Sequence, residues 1–399
     1  MIKIGLIREK KQPVDLRVAF TPKQCVAIEK RFKTIKFYVQ PSPHRCHTEE
    51  EYTKSGIVIQ EDLSDCDYLF GIKEVPVEFI IPNASYFIFS HTFKKQPYNR
   101  DKLQFMLANN VRLIDYELLV EADNKRIVGF GRFAGIIGSH NGLLVYGKKT
   151  NTYDLKRAIA CKDYAELKSL YKKLKLPAIK IVVTGSGRVA KGAEEFLTLI
   201  GIKKVNSQEY ITQQFDEPVF TVLTSKDLYF HKKTGVYNRE DFHQNPFEYG
   251  GHFEEYYKTT DIMINAIYWD VRAPRFFTKN DMKKESFHIK VIADISCDVD
   301  GSVPATMRTT DKNELVFGYD VKTEKEVPPL LKNTVDIMAV HNLPTELPLD
   351  TSSLFGEQLM NKVIPELFVE HSPILAGATI VENGNLTSDY EYLRDYVEA

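Results

Sequence analysis

The chain has 399 residues, too many for one ordinary core, so two domains are the natural expectation. Its 53 basic and 54 acidic residues leave a formal charge of −1, which speaks against an extended nucleic-acid footprint. Hydrophobic residues make up 43% of the chain, enough for packed cores and too many for disorder, and no apolar run approaches a membrane span. The opening Met-Ile-Lys-Ile-Gly-Leu-Ile reads directly as a strand and not as a signal peptide, so a cytoplasmic location is expected. Five scattered cysteines with no CxxC pair read as free thiols. Cys46, flanked by His44 and His47, lacks a second ligand cluster, and no metal is expected.

Through the first 120 residues, strand-like runs at 3–7, 34–39, 68–72, 85–90 and 112–116 alternate with amphipathic stretches. Alternation of this kind implies a parallel sheet covered by helices. The expected class is α/β, with two Rossmann-like domains, parallel sheets and an active-site cleft between them. Several polar groups follow these strands, where open α/β sheets place ligand contacts. Arg17 lies beyond the first strand; Lys73 and Glu74 follow the third; His91, with Lys94 close behind, follows the fourth; Glu117 and then Arg126 follow the fifth. An arginine suits bidentate binding of a carboxylate, a lysine or histidine suits proton transfer once its pKa is shifted, and a carboxylate tunes that shift. Such a set facing a dinucleotide suggests oxidation of an amino or a hydroxy acid, and spacing does not distinguish the two.

After Arg132–Gly138 and the stretch 141–150, the apolar run Ile181–Thr184 breaks into Gly185-Ser186-Gly187-Arg188-Val189 and continues with helical spacing. That is how a dinucleotide-binding βαβ unit begins, with Gly185 for the tight turn and Gly187 for close approach to a pyrophosphate at a helix N-terminus. The third glycine falls at Gly192, a looser GxGxxxxG spacing. An acid for the ribose hydroxyls is expected about twenty residues on. That region reads Ile202–Glu209 with no aspartate, leaving Asn206 as the candidate ribose ligand and Lys203, Lys204 or Arg188 to tolerate a 2′-phosphate. NAD is the first choice of cofactor, with NADP open. Later strands are expected at 261–267 and 290–296, the second ending in Asp294, which either faces the nicotinamide or is a buried cap. Residues 206–260, rich in Tyr, Phe and His, read as an inserted hairpin or lid. From His341 the chain changes character, and Pro344–Ser353 acts as a stop and cap for a helix beginning near Leu354. A substrate domain of 1–135 plus 342–399 and a dinucleotide domain of 136–341 follow from this pattern.

At these residues the chain resembles the lysine-forming saccharopine dehydrogenases, relatives of alanine dehydrogenase. The segments that carry the resemblance lie at 17–22, 71–76, 90–96, 113–119, 126–135, 261–268 and 342–353, in family order over nearly the whole length. The resemblance implies an oxidoreductase that reversibly converts saccharopine, water and an oxidised nicotinamide cofactor into lysine and 2-oxoglutarate. It implies Lys73 and His91 as the acid–base pair, Glu74 and Glu117 as moderating carboxylates, Arg17 and Arg126 as carboxylate binders and Lys94 as a supporting cation. The partners expected are small-molecule substrates, with neither nucleic acid nor membrane, and nothing in the sequence specifies an oligomeric state. One departure bears on the substrate: His341 stands where the saccharopine branch carries an aspartate, which keeps open an alanine dehydrogenase-like enzyme using ammonia. A catalytically silent nicotinamide-binding protein is the third reading.

Overall fold

The structure, a computed structural model, describes residues 1–398. In chain order its strands are β1 (Ile2–Leu6), β2 (Ile35–Val39), β3 (Val58–Ile59), β4 (Tyr68–Phe70), β5 (Ser85–Ile88), β6 (Arg112–Asp115), β7 (Lys180–Thr184), β8 (Lys203–Lys204) and β9 (Val219–Leu223). They continue with β10 (Tyr229–His231), β11 (Tyr249–Gly251), β12 (Ile262–Asn265), β13 (Val291–Asp294), β14 (Phe317–Asp320), β15 (Lys325–Val327), β16 (Val335–Met338), β17 (Thr379–Glu382) and β18 (Asn385–Leu386). The chain divides into two units, Met1–Phe130 with Pro348 onward, and Gly131–Leu347.

These junctions differ from the expected 135/136 and 341/342, for a packing reason. The helix Gly131–Thr150 belongs to the second unit from its first turn: a Cβ on Gly135 would meet the Val189 carbonyl oxygen at 1.9 Å. At the other junction Leu343 touches Gly138 of the same helix, which keeps the 341–347 turn in that unit. The helix expected near Leu354 starts earlier, at Pro348, because a proline in the first turn lacks only an N–H that has no helical partner there and brings its φ preset.

In the first unit eight strands form one sheet in the order β18-β17-β6-β5-β4-β1-β2-β3. The six from β6 to β3 are parallel and follow the doubly wound order, while β17 and β18 extend the edge antiparallel. Successive residues serve opposite faces, as a pleated strand requires. Phe87 stacks on Phe70 at 4.4 Å between ring centroids in one core layer, while its neighbours Tyr86 and Ile88 pack with Leu69 and Leu113 in the other. The helix Pro348–Lys362 closes one face, with Ser352 Oγ accepting the Val18 N–H at 3.0 Å.

The second unit holds another eight-stranded sheet, β15-β14-β16-β13-β12-β7-β9-β8, parallel from β16 to β8 with β14 and β15 antiparallel at the edge. The strand beside β7 is β9, with Lys180 to Thr184 opposite Val219 to Leu223; β8 lies outside it. The region 202–209, expected to end the neighbouring strand, therefore lies at the edge of the sheet, away from the place where a ribose ligand is required. Gly192 also has a different task from the one expected of a third phosphate-loop glycine. Its Cβ position lies 2.0 Å from the Arg132 carbonyl oxygen, and with Gly135 it lets two helices meet backbone to backbone. Residues 206–260 contain the antiparallel hairpin β10–β11, whose Tyr229 and Tyr249 enclose Phe242 at 4.7 and 5.1 Å between centroids. Tyr249 and Phe253 are buried, so this insertion is part of the unit's core. Among the described residues no helix is long and apolar enough to cross a membrane, and no cluster of His, Cys, Asp and Glu has the composition of a metal site.

Candidate active site

In the first unit, β4, β5 and β6 are parallel neighbours, so the turns that follow them emerge side by side at one edge of the sheet. Lys73 and Glu74 come from the first turn, Ser90 and His91 from the second, and Glu117 from the third. Glu74 is buried, and its carboxylate takes the His91 Nδ1–H at 2.8 Å on one oxygen and Lys11 Nζ at 2.7 Å on the other. Burial alone would raise its pKa, but these donors outweigh desolvation and hold it at about 2. An ionised Glu74 accepts only, so Nδ1 carries the proton and Nε2 is the open ring nitrogen, 3.8 Å from Glu117 Oε2. Glu117 is in turn bound by Lys94 and Arg126, each at 2.7 Å, which keep it ionised below the usual carboxylate range despite burial.

Lys73 is half-buried, and among the described residues its ammonium makes no hydrogen bond or ion pair. Desolvation first, then the Arg17 charge, pushes its pKa below that of an ordinary lysine, against the pull of Asp15 and Glu74. Arg17 is buried, donates to Asp15 at 2.9 and 2.5 Å, and lies 4.0 Å over the Phe130 ring. The expected carboxylate binder is therefore engaged with an internal carboxylate, and it acts on Lys73 through charge.

Four residues that the sequence reading passed over complete the cluster. Glu9 accepts the backbone N–H groups of Ile72 at 2.6 Å and Lys73 at 2.9 Å, and burial with the nearby Asp15 raises its pKa to about 7. Lys11 and Asp15 are the partners of Glu74 and Arg17. Asp115, at the end of β6, accepts the N–H groups of Ser90 at 2.8 Å and His91 at 3.1 Å on one oxygen and that of Glu117 at 2.7 Å on the other. It thereby ties the second and third turns together and holds His91 at φ +54°, a left-handed conformation that non-glycine residues adopt only when their surroundings impose it. The available signal was position: Glu9 and Lys11 follow β1, which pairs with β4.

The second unit carries a cleft of about 940 Å³ above the carboxyl ends of β7, β9, β12 and β13. Gly185, Ser186, Gly187, Arg188 and Val189 line it. Gly185 has φ +109° and its Cβ position is 2.6 Å from the Ala266 carbonyl oxygen, so no other residue fits. A Cβ on Gly187 would meet nothing within 4 Å, which leaves the start of the helix Arg188–Leu199 open to a pyrophosphate. This cradle fits a dinucleotide.

Asn206 is absent from the cleft lining, and its side-chain oxygen accepts the Glu209 N–H at 2.8 Å as the cap of a short helix. Of the three sequence candidates for a 2′-phosphate, Lys203 and Lys204 pair with Glu217 and Glu194 at the sheet edge, while Arg188 lines the cleft. Asp294 is fully buried and accepts from Thr306 at 2.6 Å and from Ser296 and Asn265 at 2.8 Å, which makes it the internal clamp of the loop after β13. The His341 ring donates from Nδ1 to the Thr310 carbonyl oxygen at 2.9 Å.

Residues 5–137 match the family described as Alanine dehydrogenase/PNT, N-terminal domain, a span that holds the whole cluster from Glu9 to Arg126. The chain is 28% identical over 436 residues to alpha-aminoadipic semialdehyde synthase of Arabidopsis thaliana, covering 98% of this chain and 41% of that protein. It is 24% identical over 380 residues to saccharopine dehydrogenase [NAD(+), L-lysine-forming] of Candida glabrata, covering 89% of each. The chain thus spans less than half the length of the semialdehyde synthase it matches. Among solved structures, an L-alanine dehydrogenase superposes with a TM-score of 0.64 at 14% identity, covering 100% of this chain and 99% of that one, and shares the fold. The cluster lies inside the matched domain, and the chain is similar to the semialdehyde synthase and to the saccharopine dehydrogenase along most of its length.

Proposed function

We propose that the protein is an NAD(P)-dependent oxidoreductase that interconverts saccharopine and water with lysine and 2-oxoglutarate. The observation that carries this reading is the arrangement of Lys73 and a Glu74-oriented His91 among the cations Lys11, Lys94 and Arg126. A substrate with three carboxylates and a secondary amine needs several fixed cations and two proton-transfer groups. A bound nicotinamide would supply the acceptor for the hydride on the glutarate α-carbon. The residues Gly185–Val189 would hold its dinucleotide.

The chain's own groups handle the protons. Burial and the Arg17 charge favour the neutral amine of Lys73, which can then accept the proton that leaves the secondary amine as the C=N bond forms. His91, with Nδ1–H committed to Glu74, presents Nε2 to a water molecule and takes its proton as the oxygen adds to the imine carbon. That proton, returned to nitrogen, gives the carbinolamine, and transfer of its hydroxyl proton to the same nitrogen by way of His91 breaks the C–N bond, releasing lysine and leaving 2-oxoglutarate. Glu74 stays ionised through the cycle and stabilises the imidazolium when it forms.

The test is cofactor oxidation with 2-oxoglutarate plus lysine, run beside pyruvate plus ammonia, with NADH and NADPH in turn. Turnover with the lysine pair alone supports the proposal. Turnover with ammonia alone replaces it with an alanine dehydrogenase-like activity, and binding of cofactor with no turnover leaves only a silent nicotinamide-binding protein.

A further inference from the structure

The polar loop Pro43-His44-Arg45-Cys46-His47-Thr48 follows β2. In the first unit's sheet β2 lies parallel beside β1, and β1 beside β4, so this loop emerges at the same edge as Lys73 and His91. It is pinned on both sides of Arg45. The Ser42 N–H donates to Glu49 Oε1 at 2.9 Å, and the Cys46 N–H donates at 2.7 Å to the carbonyl oxygen of Leu16, which stands between Asp15 and Arg17.

Arg45 itself is half-buried, with its guanidinium 5.8 Å over the Tyr52 ring. Among the described residues that guanidinium makes no hydrogen bond or ion pair, and its Nη1 is shut off from solvent without an acceptor. Burial pushes its pKa down, against the pull of Tyr52, Glu49 and Glu9. Neither carboxylate pairs with it: Glu49 holds the Ser42 N–H, and Glu9 holds those of Ile72 and Lys73. The other cations described at this edge, Lys73 apart, each have an internal carboxylate. Lys11 has Glu74, Arg17 has Asp15, and Lys94 and Arg126 share Glu117. A desolvated charge without a counter-ion is costly to keep, and a ligand that brings the missing anion removes the cost.

We propose that Arg45 binds a substrate carboxylate remote from the reacting C–N bond, in the two-point grip of a guanidinium on a carboxylate. The inference rests on the saccharopine reading and adds a subsite to it. The turns after β4 and β2 stand two strand spacings apart, about 10 Å, with the turn that carries Glu9 between them. A carboxylate on the reacting carbon stays beside Lys73, whereas one several bonds further out reaches toward Arg45. Two carboxylates meet that description: the side-chain carboxylate of 2-oxoglutarate and the carboxylate of lysine.

The test is steady-state kinetics in the saccharopine-forming direction for wild type, Arg45→Met and Arg45→Lys, with melting temperatures and dinucleotide titrations alongside. Arg45→Met should raise the KM of one carboxylate substrate by about 10–100-fold, the increment of a charge-assisted pair, with kcat changed far less and dinucleotide affinity kept. Its melting temperature should hold or rise, because an uncompensated charge has been replaced by an apolar chain. Arg45→Lys, a point charge without the planar fork, should recover part of the lost affinity. Analogues name the source. Wild type and Arg45→Met should use 2-oxobutyrate equally well if Arg45 holds 2-oxoglutarate, and cadaverine equally well if it holds lysine. An unchanged KM for both substrates, a loss that the matching analogue shares in full, or a lower melting temperature with KM unmoved overturns the proposal while the saccharopine reading stands. If wild type turns over no 2-oxoglutarate with lysine, the saccharopine reading falls and takes the proposal with it.

Discussion

Replacing Glu74 by glutamine removes one charge from the centre of the first unit while keeping the side-chain shape. The native carboxylate is buried, yet His91 and Lys11 hold its pKa at about 2 against an ordinary 4.5. A shift of that size corresponds to roughly 3 kcal/mol of preference for the folded state at neutral pH, at about 1.4 kcal/mol per unit. Lys11 is 40% exposed, so solvent screening trims the expectation to about 2–3 kcal/mol. The folded pKa lies below the unfolded one, so the stabilisation is complete above pH 4.5 and is lost as the pH falls through about 2. Urea unfolding followed by circular dichroism at pH 7 and at stepped values down to pH 2 measures the difference between wild type and Glu74→Gln. The gap should be widest at pH 7, narrow steadily below pH 4.5 and close near pH 2. A gap of the same size at every pH would show that the loss is one of packing, and no gap at pH 7 would show that the paired carboxylate contributes no net stability; either result refutes the reasoning.

Lys73→Met should lower kcat/KM by about 10²–10⁴-fold, the usual contribution of a positioned proton-transfer group, with the affinity for dinucleotide measured by fluorescence titration unchanged. Gly192→Ala and Gly187→Ala should fail in opposite ways. At position 192 the new methyl would sit 2.0 Å from the Arg132 carbonyl oxygen, so the helices must part at a cost of about 1–3 kcal/mol and the melting temperature should drop by several degrees. At position 187 nothing lies within 4 Å, so the melting temperature should hold while dinucleotide affinity falls.

The strands of the first unit were legible because each is a short apolar run closed by a turn, and the polar residues after them were legible because parallel sheets present such turns at one edge. Glu74, His91, Lys94, Glu117 and Arg126 do come together. The partners of these residues were not legible, since Glu9, Lys11 and Asp15 reach the cluster only through the pairing of β1 with β4, a fact of sheet order and not of spacing. Asp115 lies within the 113–119 segment but reads there as part of a strand; its function depends on three backbone N–H groups from the turns after β5 and β6. In the second unit the glycine turn was plain, whereas the strand beside it was not. A two-residue strand of lysines and a short helix intervene before β9, so counting about twenty residues from the turn arrives at a helix cap, Asn206.

The same interruption leaves β8 as the last strand on its side of the sheet, two residues long and made of Lys203 and Lys204. The other outer strands are built alike: β3 and β18 have two residues each, and β15 is Lys-Glu-Val. A terminal strand offers unsatisfied backbone donors and acceptors to any chain that drifts alongside, and brevity and lysine side chains are what deny a foreign strand a foothold. Both sheets therefore carry protection against runaway self-association at high concentration, and the displacement of the second Rossmann strand from its usual neighbour supplies part of that protection.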